Sequence, residues 1–358
     1  MLHPTIKDVA RISGVSIGTV DRVLHDRGRV SAKNKEAVLQ AIEQLNYRPS
    51  QIARALVSRK NPLTLGITYP MVDRDFWQEA QVGIQYACSK LEAFGVKLVV
   101  DSFPAYNIKA QIASIDRLLT EGVNGIVLTA VDDGTSGQID EHIPEDIPYA
   151  TVINDTVGGR RTFFVGPDDF ALGRLAAKLV SLYVPGSCHA AILSPNALFN
   201  GTQQRISGFL SKINQEGLDI QVQRVIPVES DDSEESVYRN IYQAASDCIA
   251  NYPGLNAIYV TNGLIEQVAA AVEDAGKGGE ILLFGHEYTS NMYRYIQNGT
   301  IAASLYQKPA SEWYQAICML YEVLNKERTI TQPICTTECS IIVKETLPFI
   351  KVSGVDLL

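Results

Sequence analysis

The first 50 residues place apolar side chains at helical spacing in three short stretches. Two of these stretches meet at Gly14, and the third begins at Ser31, a residue type that often caps a helix. Helices this short do not persist alone in water, but two that cross at a tight glycine turn form a helix-turn-helix, which a third helix can complete. We therefore predict an all-α head over residues 1–49. The positions expected in its core are Ile6, Val9, Ala10, Ile12, Val15, Val20, Val23, Leu24, Ala37, Val38, Ala41, Ile42 and Leu45.

From residue 63 the pattern changes to short apolar runs that alternate with amphipathic helical stretches. Two series of strand–helix–strand units predict an α/β domain of two lobes, each built on a doubly wound parallel sheet. The predicted strands are 63–69, 96–101, 125–129 and 149–153 in the first series, and 189–194, 222–228, 256–261 and 281–285 in the second. The predicted helices are 76–93, 108–121, 169–184, 202–216, 234–252 and 263–275.

These patterns divide the chain into a head (1–49), a short linking segment (50–60) and a two-lobed domain (61–358). The first lobe is expected to take residues 61–160 and 308–335, and the second lobe 161–307 and 336–358. The strands at 301–306 and 338–343 are expected near the points where the chain crosses between lobes.

Composition narrows the possible classes of protein. No run of about 18 uncharged apolar residues occurs, and the N-terminus lacks the apolar core of a secretory signal, so we expect a cytoplasmic protein. The six cysteines are scattered, and Cys335 and Cys339 have no histidine nearby, so no structural metal is expected. No GxGxxG or P-loop sequence follows the first strand, which argues against a nucleotide cofactor. We expect no cofactor and no enzyme activity.

Charge is distributed unevenly along the chain. Residues 1–60 carry 11 Lys and Arg against 5 Asp and Glu, a net charge of +6, whereas the remainder carries −15 of the total of −9. A basic head on an acidic body is typical of a nucleic-acid-binding module joined to a regulatory domain.

The second helix of a helix-turn-helix enters the major groove of DNA, and its N-terminal residues reach base edges. Here that helix begins after Ser16, and its outer face carries Ile17, Gly18, Asp21 and Arg22. Arg22 can donate two hydrogen bonds to a guanine, and Ile17 can contact a thymine methyl group. Gly18 has no side chain with which to read a base and permits close approach.

The head resembles the DNA-binding domain of the lactose-repressor (LacI) family of bacterial transcriptional regulators. The matching residues are TIKDVARISGVSIGTVDRVL from Thr5, VS at 30–31 and LNYRPS at 45–50. The resemblance implies that Ile17, Gly18 and Arg22 read bases. It also implies phosphate contacts from Thr5, Ser16, Thr19, Ser31 and Asn34. Asp21 departs from the family, in which serine is usual at this position.

Residues 50–59 form a short apolar helical pattern that would not persist alone in water. The resemblance implies a hinge helix that folds on operator DNA beside the same segment of a second subunit. Leu56 would then enter a minor-groove base step, and Arg54 would contact phosphate. We see no C-terminal leucine heptad of the kind that makes tetramers, so we expect a homodimer on a pseudo-palindromic operator, located in the cytoplasm at the nucleoid.

Ligands of open parallel sheets bind beyond the carboxyl ends of the strands, where this chain has polar and aromatic residues. Amides, carboxylates and arginine beside flat aromatic rings suit a neutral polyol. The candidates at these strand ends are Asp73, Arg74, Asp75, Phe76, Trp77, Asn154, Asp155, Asn262, His286, Glu287 and Gln307.

The two-lobed domain resembles the ribose-binding-protein type of periplasmic sugar-binding fold over residues 62–345. The resemblance rests on DFW (75–77), VIND (152–155), VGPDDFALG (165–173), Arg205 before ISGF, VTN (260–262), FGHE (284–287) and YQKP (306–309). It implies an effector cleft lined by Arg74, Phe76, Trp77, Asn154, Asp155, Arg205, Asn262, Glu287 and Gln307.

Alternatives remain at several of these positions. Trp77 also fits an apolar helix stripe, Asp155 could cap the next turn, and His286 fits a packed histidine. Arg205 needs a partner at the cleft rim because a buried unpaired arginine is too costly. The charges expected in the cleft, Arg74 and Arg205 against Asp155 and Glu287, balance and favour a neutral sugar or polyol.

Other ligands and chemistries also fit parts of the cleft. A purine or nucleoside stacked on Phe76 and Trp77 is the alternative effector. Asp155 and Glu287 could form a hydrolytic carboxylate pair, but no nucleophile motif accompanies them.

Overall fold

The computed structural model describes residues 4–24, 28, 30–45, 47, 62–71, 74–103, 107–131, 136–156, 158–195, 199–228 and 234–350. The predicted hinge segment at 50–60 lies outside these residues, as do the side chains of Arg74 and Asp75. None of the described helices is long and apolar enough to span a membrane.

The head contains the three predicted helices: α1 (Ile6–Ser13), α2 (Ile17–Leu24) and α3 (Ala32–Leu45). Gly14 ends α1 in the left-handed conformation, with a φ of 68°, and its N–H donates to the carbonyl of Ala10. Ser31 caps α3, since its hydroxyl accepts the N–H of Asn34 at 3.3 Å. Ile12 was expected in the core but is 38% exposed, because it lies on the outer side of the last turn of α1. The buried apolar residues are Val9, Ala10, Val20, Val23, Val38, Ala41 and Tyr47.

The first lobe surrounds a sheet with the strand order β11-β5-β4-β3-β1-β2, in which every pairing is parallel. Its strands are β1 (Thr64–Pro70), β2 (Lys97–Phe103), β3 (Gly125–Leu128), β4 (Tyr149–Val152), β5 (Phe163–Gly166) and β11 (Ile334–Thr336). Its helices are α4 (Arg74–Glu92), α5 (Ile108–Thr120), α6 (Ser136–His142) and α12 (Pro309–Leu324).

The second lobe repeats this arrangement with the strand order β12-β10-β9-β8-β6-β7, in which only β12 runs antiparallel to its neighbour. Its strands are β6 (Cys188–Pro195), β7 (Ile220–Val228), β8 (Ala257–Val260), β9 (Leu282–His286), β10 (Ile301–Tyr306) and β12 (Ser340–Ile342). Its helices are α7 (Asp169–Tyr183), α8 (Asn200–Glu216), α9 (Glu234–Asn251), α10 (Ile265–Asp274) and α11 (Tyr293–Gln297). Short 3-10 helices span Ser290–Met292 and Lys344–Phe349.

Within the described residues the chain crosses between the lobes three times, at residues 167–168, 307–308 and 337–339. We call these segments the first, second and third crossovers. Strand β5 pairs with β4 in the first sheet, so the first lobe continues past the expected boundary at residue 160. The sequence analysis predicted no strand at β5.

Two of the strands that end at the cleft are followed by residues in the left-handed conformation. Ile153 after β4 has a φ of 69°, and Glu287 after β9 has a φ of 66°. At Ile153 the N–H of Asn154 bonds back to the carbonyl of Val152 at 2.8 Å, which closes a tight three-residue turn. A β-branched residue rarely adopts this conformation, and such strain is concentrated at functional sites.

Candidate DNA-binding face and ligand cleft

The outer face of α2 presents the residues predicted to read bases. Ile17 is 45% exposed, and Gly18 and Arg22 are exposed. The Nε of Arg22 donates to the carbonyl of Gly18 at 3.1 Å. A Cβ on Gly18 would meet no atom closer than 3.9 Å, so packing inside the head does not require a glycine there. Gly18 leaves this face open for the close approach of another molecule.

The residues predicted to hold phosphates gather at the starts of the three helices. The hydroxyls of Ser16 and Thr19 lie 2.9 Å apart in the first turn of α2, and Ser31 caps α3 beside Asn34. Thr5 precedes α1 and donates to the carboxylate of Asp8 through both its N–H (2.9 Å) and its hydroxyl (2.7 Å). Helix N-termini favour anions, so this arrangement suits a phosphate backbone. Arg54 and Leu56 lie outside the described residues.

A cleft of about 610 Å³ lies between the two lobes at the carboxyl ends of their strands. It contains seven of the nine residues expected there, together with seven residues that the sequence did not single out. The lining residues are Phe76, Trp77, Thr129, Ile153, Asn154, Asp169, Phe199, Gly201, Thr202, Arg205, Asn262, Gly263, Glu287 and Gln307.

Arg205 is buried in the cleft wall and makes three hydrogen bonds. Its Nε donates to Oδ1 of Asp169 at 2.6 Å, its Nη1 to the carbonyl of Thr261 at 2.8 Å, and its Nη2 to Oε1 of Gln307 at 3.1 Å. The partner expected for Arg205 is therefore Asp169, although the pair is buried rather than at the rim. Burial raises the pKa of the Asp169 carboxyl, and the guanidinium opposes that rise.

Asp155 is turned away from the cleft. Arg161 forms an ion pair with its carboxylate, which also accepts the hydroxyl of Thr151 at 2.6 Å and the N–H of Thr156 at 2.9 Å. The expectation that Asp155 lines the cleft and belongs to its charge balance is therefore wrong. Without Asp155 the carboxylate pair considered for hydrolysis is not formed in the cleft.

The two aromatic residues of α4 have different roles. Trp77 is only 2% exposed and is stacked on Tyr69 at a ring separation of 5.2 Å, as in a core. Phe76 is half-buried, packs edge-on against Trp77 at 5.0 Å and lines the cleft. Phe199 lines the cleft from the second lobe. The cleft thus has aromatic surface on both lobes.

His286 is a core histidine. It is fully buried, and its Nε2 lies 2.8 Å from the hydroxyl of Tyr259. Burial and the nearby Arg205 lower its pKa well below the ordinary value, so the ring is neutral. The described residues contain no cluster of three or more side chains that could hold a metal ion.

Both the head and the two-lobed domain match known protein families. Residues 65–328 match the periplasmic binding protein domain, and residues 5–50 match the lacI family of bacterial regulatory proteins. The ribose operon repressor of Bacillus subtilis (strain 168) is 25% identical over 277 residues, which are 77% of this chain and 77% of that protein. Catabolite control protein A of Priestia megaterium is 30% identical over 145 residues, 40% of each chain.

Solved structures share the two-lobed fold. The glucose-galactose binding protein GanP of Geobacillus stearothermophilus aligns with a TM-score of 0.69 and 24% identity, covering 80% of this chain and 99% of its own. At this level of identity the likeness shows the fold alone.

Proposed function

The chain belongs to the lacI family of bacterial regulatory proteins, with a periplasmic-binding-protein domain behind its head, and we propose that it is a repressor controlled by a small neutral sugar or polyol. The effector binds in the cleft between the lobes. The head binds a pseudo-palindromic operator as part of a homodimer, and the protein works in the cytoplasm, where that DNA is located.

One observation carries the proposal: polar side chains from both lobes and from the second crossover converge on one cleft with aromatic surface. Asn154 comes from the first lobe, Asn262 and Arg205 from the second, and Gln307 from the crossover itself. Amide groups donate and accept hydrogen bonds with hydroxyls, and a guanidinium group donates them. Phe76 and Phe199 offer apolar contact to ring C–H faces.

The charges of the cleft support an uncharged effector. The charge of Arg205 is compensated by Asp169 at 2.6 Å, so an anionic ligand gains little from this arginine. Glu287, also in the cleft wall, would repel a phosphate group. Neutral hydroxyl groups meet neither difficulty.

Coupling between the cleft and the head requires that the ligand favour one arrangement of the lobes. A ligand that contacts both lobes and Gln307 meets this condition, because its contacts change when the lobes move about the crossovers. The spacing of the two heads on the operator then depends on occupancy, and operator DNA must change effector affinity by the same factor.

The experiment is a thermal-shift screen of the full-length protein with free sugars, polyols, sugar phosphates, purines and nucleosides, followed by operator gel shifts with each hit. We expect stabilisation by a neutral sugar or polyol that also changes operator affinity. Response to sugar phosphates alone would overturn the neutral effector. A hit among purines or nucleosides would favour the alternative, for which Phe76 and Phe199 supply stacking surfaces.

The oligomeric state is tested separately. Light scattering should give the mass of two chains, and a mass of four chains would contradict the homodimer.

A further inference from the structure

Asp169 lies where the first crossover meets α7, and its carboxylate faces the cleft. The side chains of Asp169 and Arg205 are 10% and 9% exposed, so their ion pair is almost fully removed from solvent. The two residues are 36 positions apart in the sequence and come from neighbouring helices, α7 and α8. The ion pair is therefore formed by the packing of α7 against α8 in the tertiary structure.

The Asp169 carboxylate also lies close to a second source of positive charge, the N-terminus of α8. The first turn of α8 lies against it, since a Cβ on Gly201 would be only 2.5 Å from Oδ2 of Asp169. Only glycine permits this approach without a shift. The N-terminus of a 17-residue helix carries partial positive charge, so Asp169 is held between a helix N-terminus and a guanidinium.

Groups that hold an anion in other proteins are the same two: a helix N-terminus and an arginine fork. Here the protein's own carboxylate occupies that position. The neighbouring acid Asp168 is not part of this arrangement, because its Oδ1 accepts the N–H of Ala171 at 2.9 Å as the N-cap of α7.

We propose that Asp169 determines the charge preference of the cleft: it occupies the place of an anionic ligand group and thereby restricts the site to uncharged effectors. Removing its charge while keeping its shape leaves the positive charge of Arg205 and of the first turn of α8 uncompensated, and this charge then attracts an anion in the cleft. The inference rests on the proposed function only in taking this cleft as the effector site.

The test compares Asp169→Asn with the wild type and with Asp168→Asn, the matched control that removes one negative charge next to the cleft while keeping a good N-cap. Each full-length protein is titrated with inorganic sulfate at pH 7 by calorimetry and melted with and without sulfate. We expect Asp169→Asn to bind sulfate at least about 10-fold more tightly than the wild type and to be stabilised by it. Asp168→Asn should behave as the wild type does.

The inference is overturned if folded Asp169→Asn gains no sulfate affinity, if Asp168→Asn gains as much, or if the wild type already binds sulfate as tightly. Should Asp169→Asn not fold, Asp169→Ser takes its place. A double variant that combines Asp169→Asn with Arg205→Met should lose the gain in sulfate affinity. If the double variant kept that gain, the proposal would also be overturned.

These results separate from those of the ligand screen. If the wild type responds to no neutral ligand, the proposed effector class is wrong. The sulfate affinity gained by Asp169→Asn would still test the role of Asp169 independently. A neutral sugar hit without that gain leaves the effector proposal standing and defeats this one.

Discussion

The side-chain oxygen of Asn154 accepts the backbone N–H of Gly201 at 3.1 Å and so joins the first lobe directly to the second. The amide nitrogen of the same side chain donates to the carbonyl of Ala130 at 2.6 Å, which fixes its orientation. The left-handed turn at Ile153 places Asn154 at this position. A residue expected only to touch a ligand therefore also connects the lobes across the cleft.

Replacing Gly201 with alanine should impair closure of the cleft. The new Cβ would lie 2.5 Å from Oδ2 of Asp169 and 3.4 Å from Oδ1 of Asn154, so either the start of α8 or the Asp169 carboxylate, which is paired with Arg205, must shift. Overpacking of this kind costs about 1–3 kcal/mol. We expect a loss of unfolding free energy of this size in urea titrations and roughly 10-fold weaker binding of whichever ligand the screen identifies.

The matched control is Gly137→Ala in α6, where a Cβ would meet no atom within 4 Å. It should leave stability unchanged or slightly raised, since alanine is the better helix former. Equal behaviour of the two variants would show that the close approach at Gly201 has no energetic consequence.

The stability of the protein should fall as the pH rises from about 5 to 8, in part because of Glu312. This residue of α12 is fully buried; its Oε1 accepts the hydroxyl of Thr337 at 2.6 Å, and its Oε2 has no hydrogen-bond partner among the described residues. Burial raises its pKa from 4.5 to about 8. The pKa of Glu312 is higher in the folded protein than in the unfolded chain. Its contribution to the free energy of unfolding is therefore complete below about pH 4.5 and is lost as the pH rises through about 8.

Glu312→Gln keeps an acceptor for Thr337 and removes the titrating group. We expect the variant to be more stable than the wild type at pH 8, by about 1 kcal/mol or more, and to have a flatter dependence of unfolding free energy on pH. Urea titrations at pH 5, 6, 7 and 8 measure this, with exposed Glu92→Gln as the control. An unchanged slope would rule out Glu312 as a source of the pH dependence.

Much of the cleft could be predicted because the carboxyl ends of parallel strands meet at one edge. Asn154, Asn262 and Glu287 each follow a predicted strand closely, and all three line the cleft. Asp155 also follows one, yet it faces Arg161, because the turn at Ile153 sends adjacent side chains in different directions. Sequence periodicity carries no information about such a turn.

Contacts between distant segments were not predictable in the same way. The need of Arg205 for a partner was evident from its apolar neighbours, but Asp169 comes from another helix 36 residues away. Phe199 and Thr202 line the cleft from the start of α8, before and within its first turn, rather than directly after a strand. The feature that could have predicted these two residues is their position at the N-terminus of a helix that faces the edge of the sheet.

The aromatic residues of α4 should separate binding from stability. Phe76→Ala removes a half-buried ring from the cleft wall and should weaken effector binding with a modest loss of stability. Trp77→Ala removes a ring that is 2% exposed and should cost about 3–5 kcal/mol of unfolding free energy. Calorimetry with the identified effector and urea titration of both variants make the comparison. Equal losses of stability would mean that Phe76 is also a core residue.

Arg22 should carry much of the operator preference, because Ile17 and Gly18, its companions on the exposed face of α2, offer no hydrogen bonds from their side chains. Arg22→Ala should cost about 1–3 kcal/mol of discrimination at one base pair of each half-site. Gel-shift competition between the operator and single-base variants measures this loss.

Thr19→Ala is the contrasting variant, since a phosphate contact carries no sequence information and its loss should weaken binding to all of these DNAs by a similar factor. The two substitutions thus separate base reading from phosphate contact on the same helix. If Arg22→Ala weakened every DNA equally and Thr19→Ala changed the preference, the recognition face of α2 would have been assigned the wrong way round.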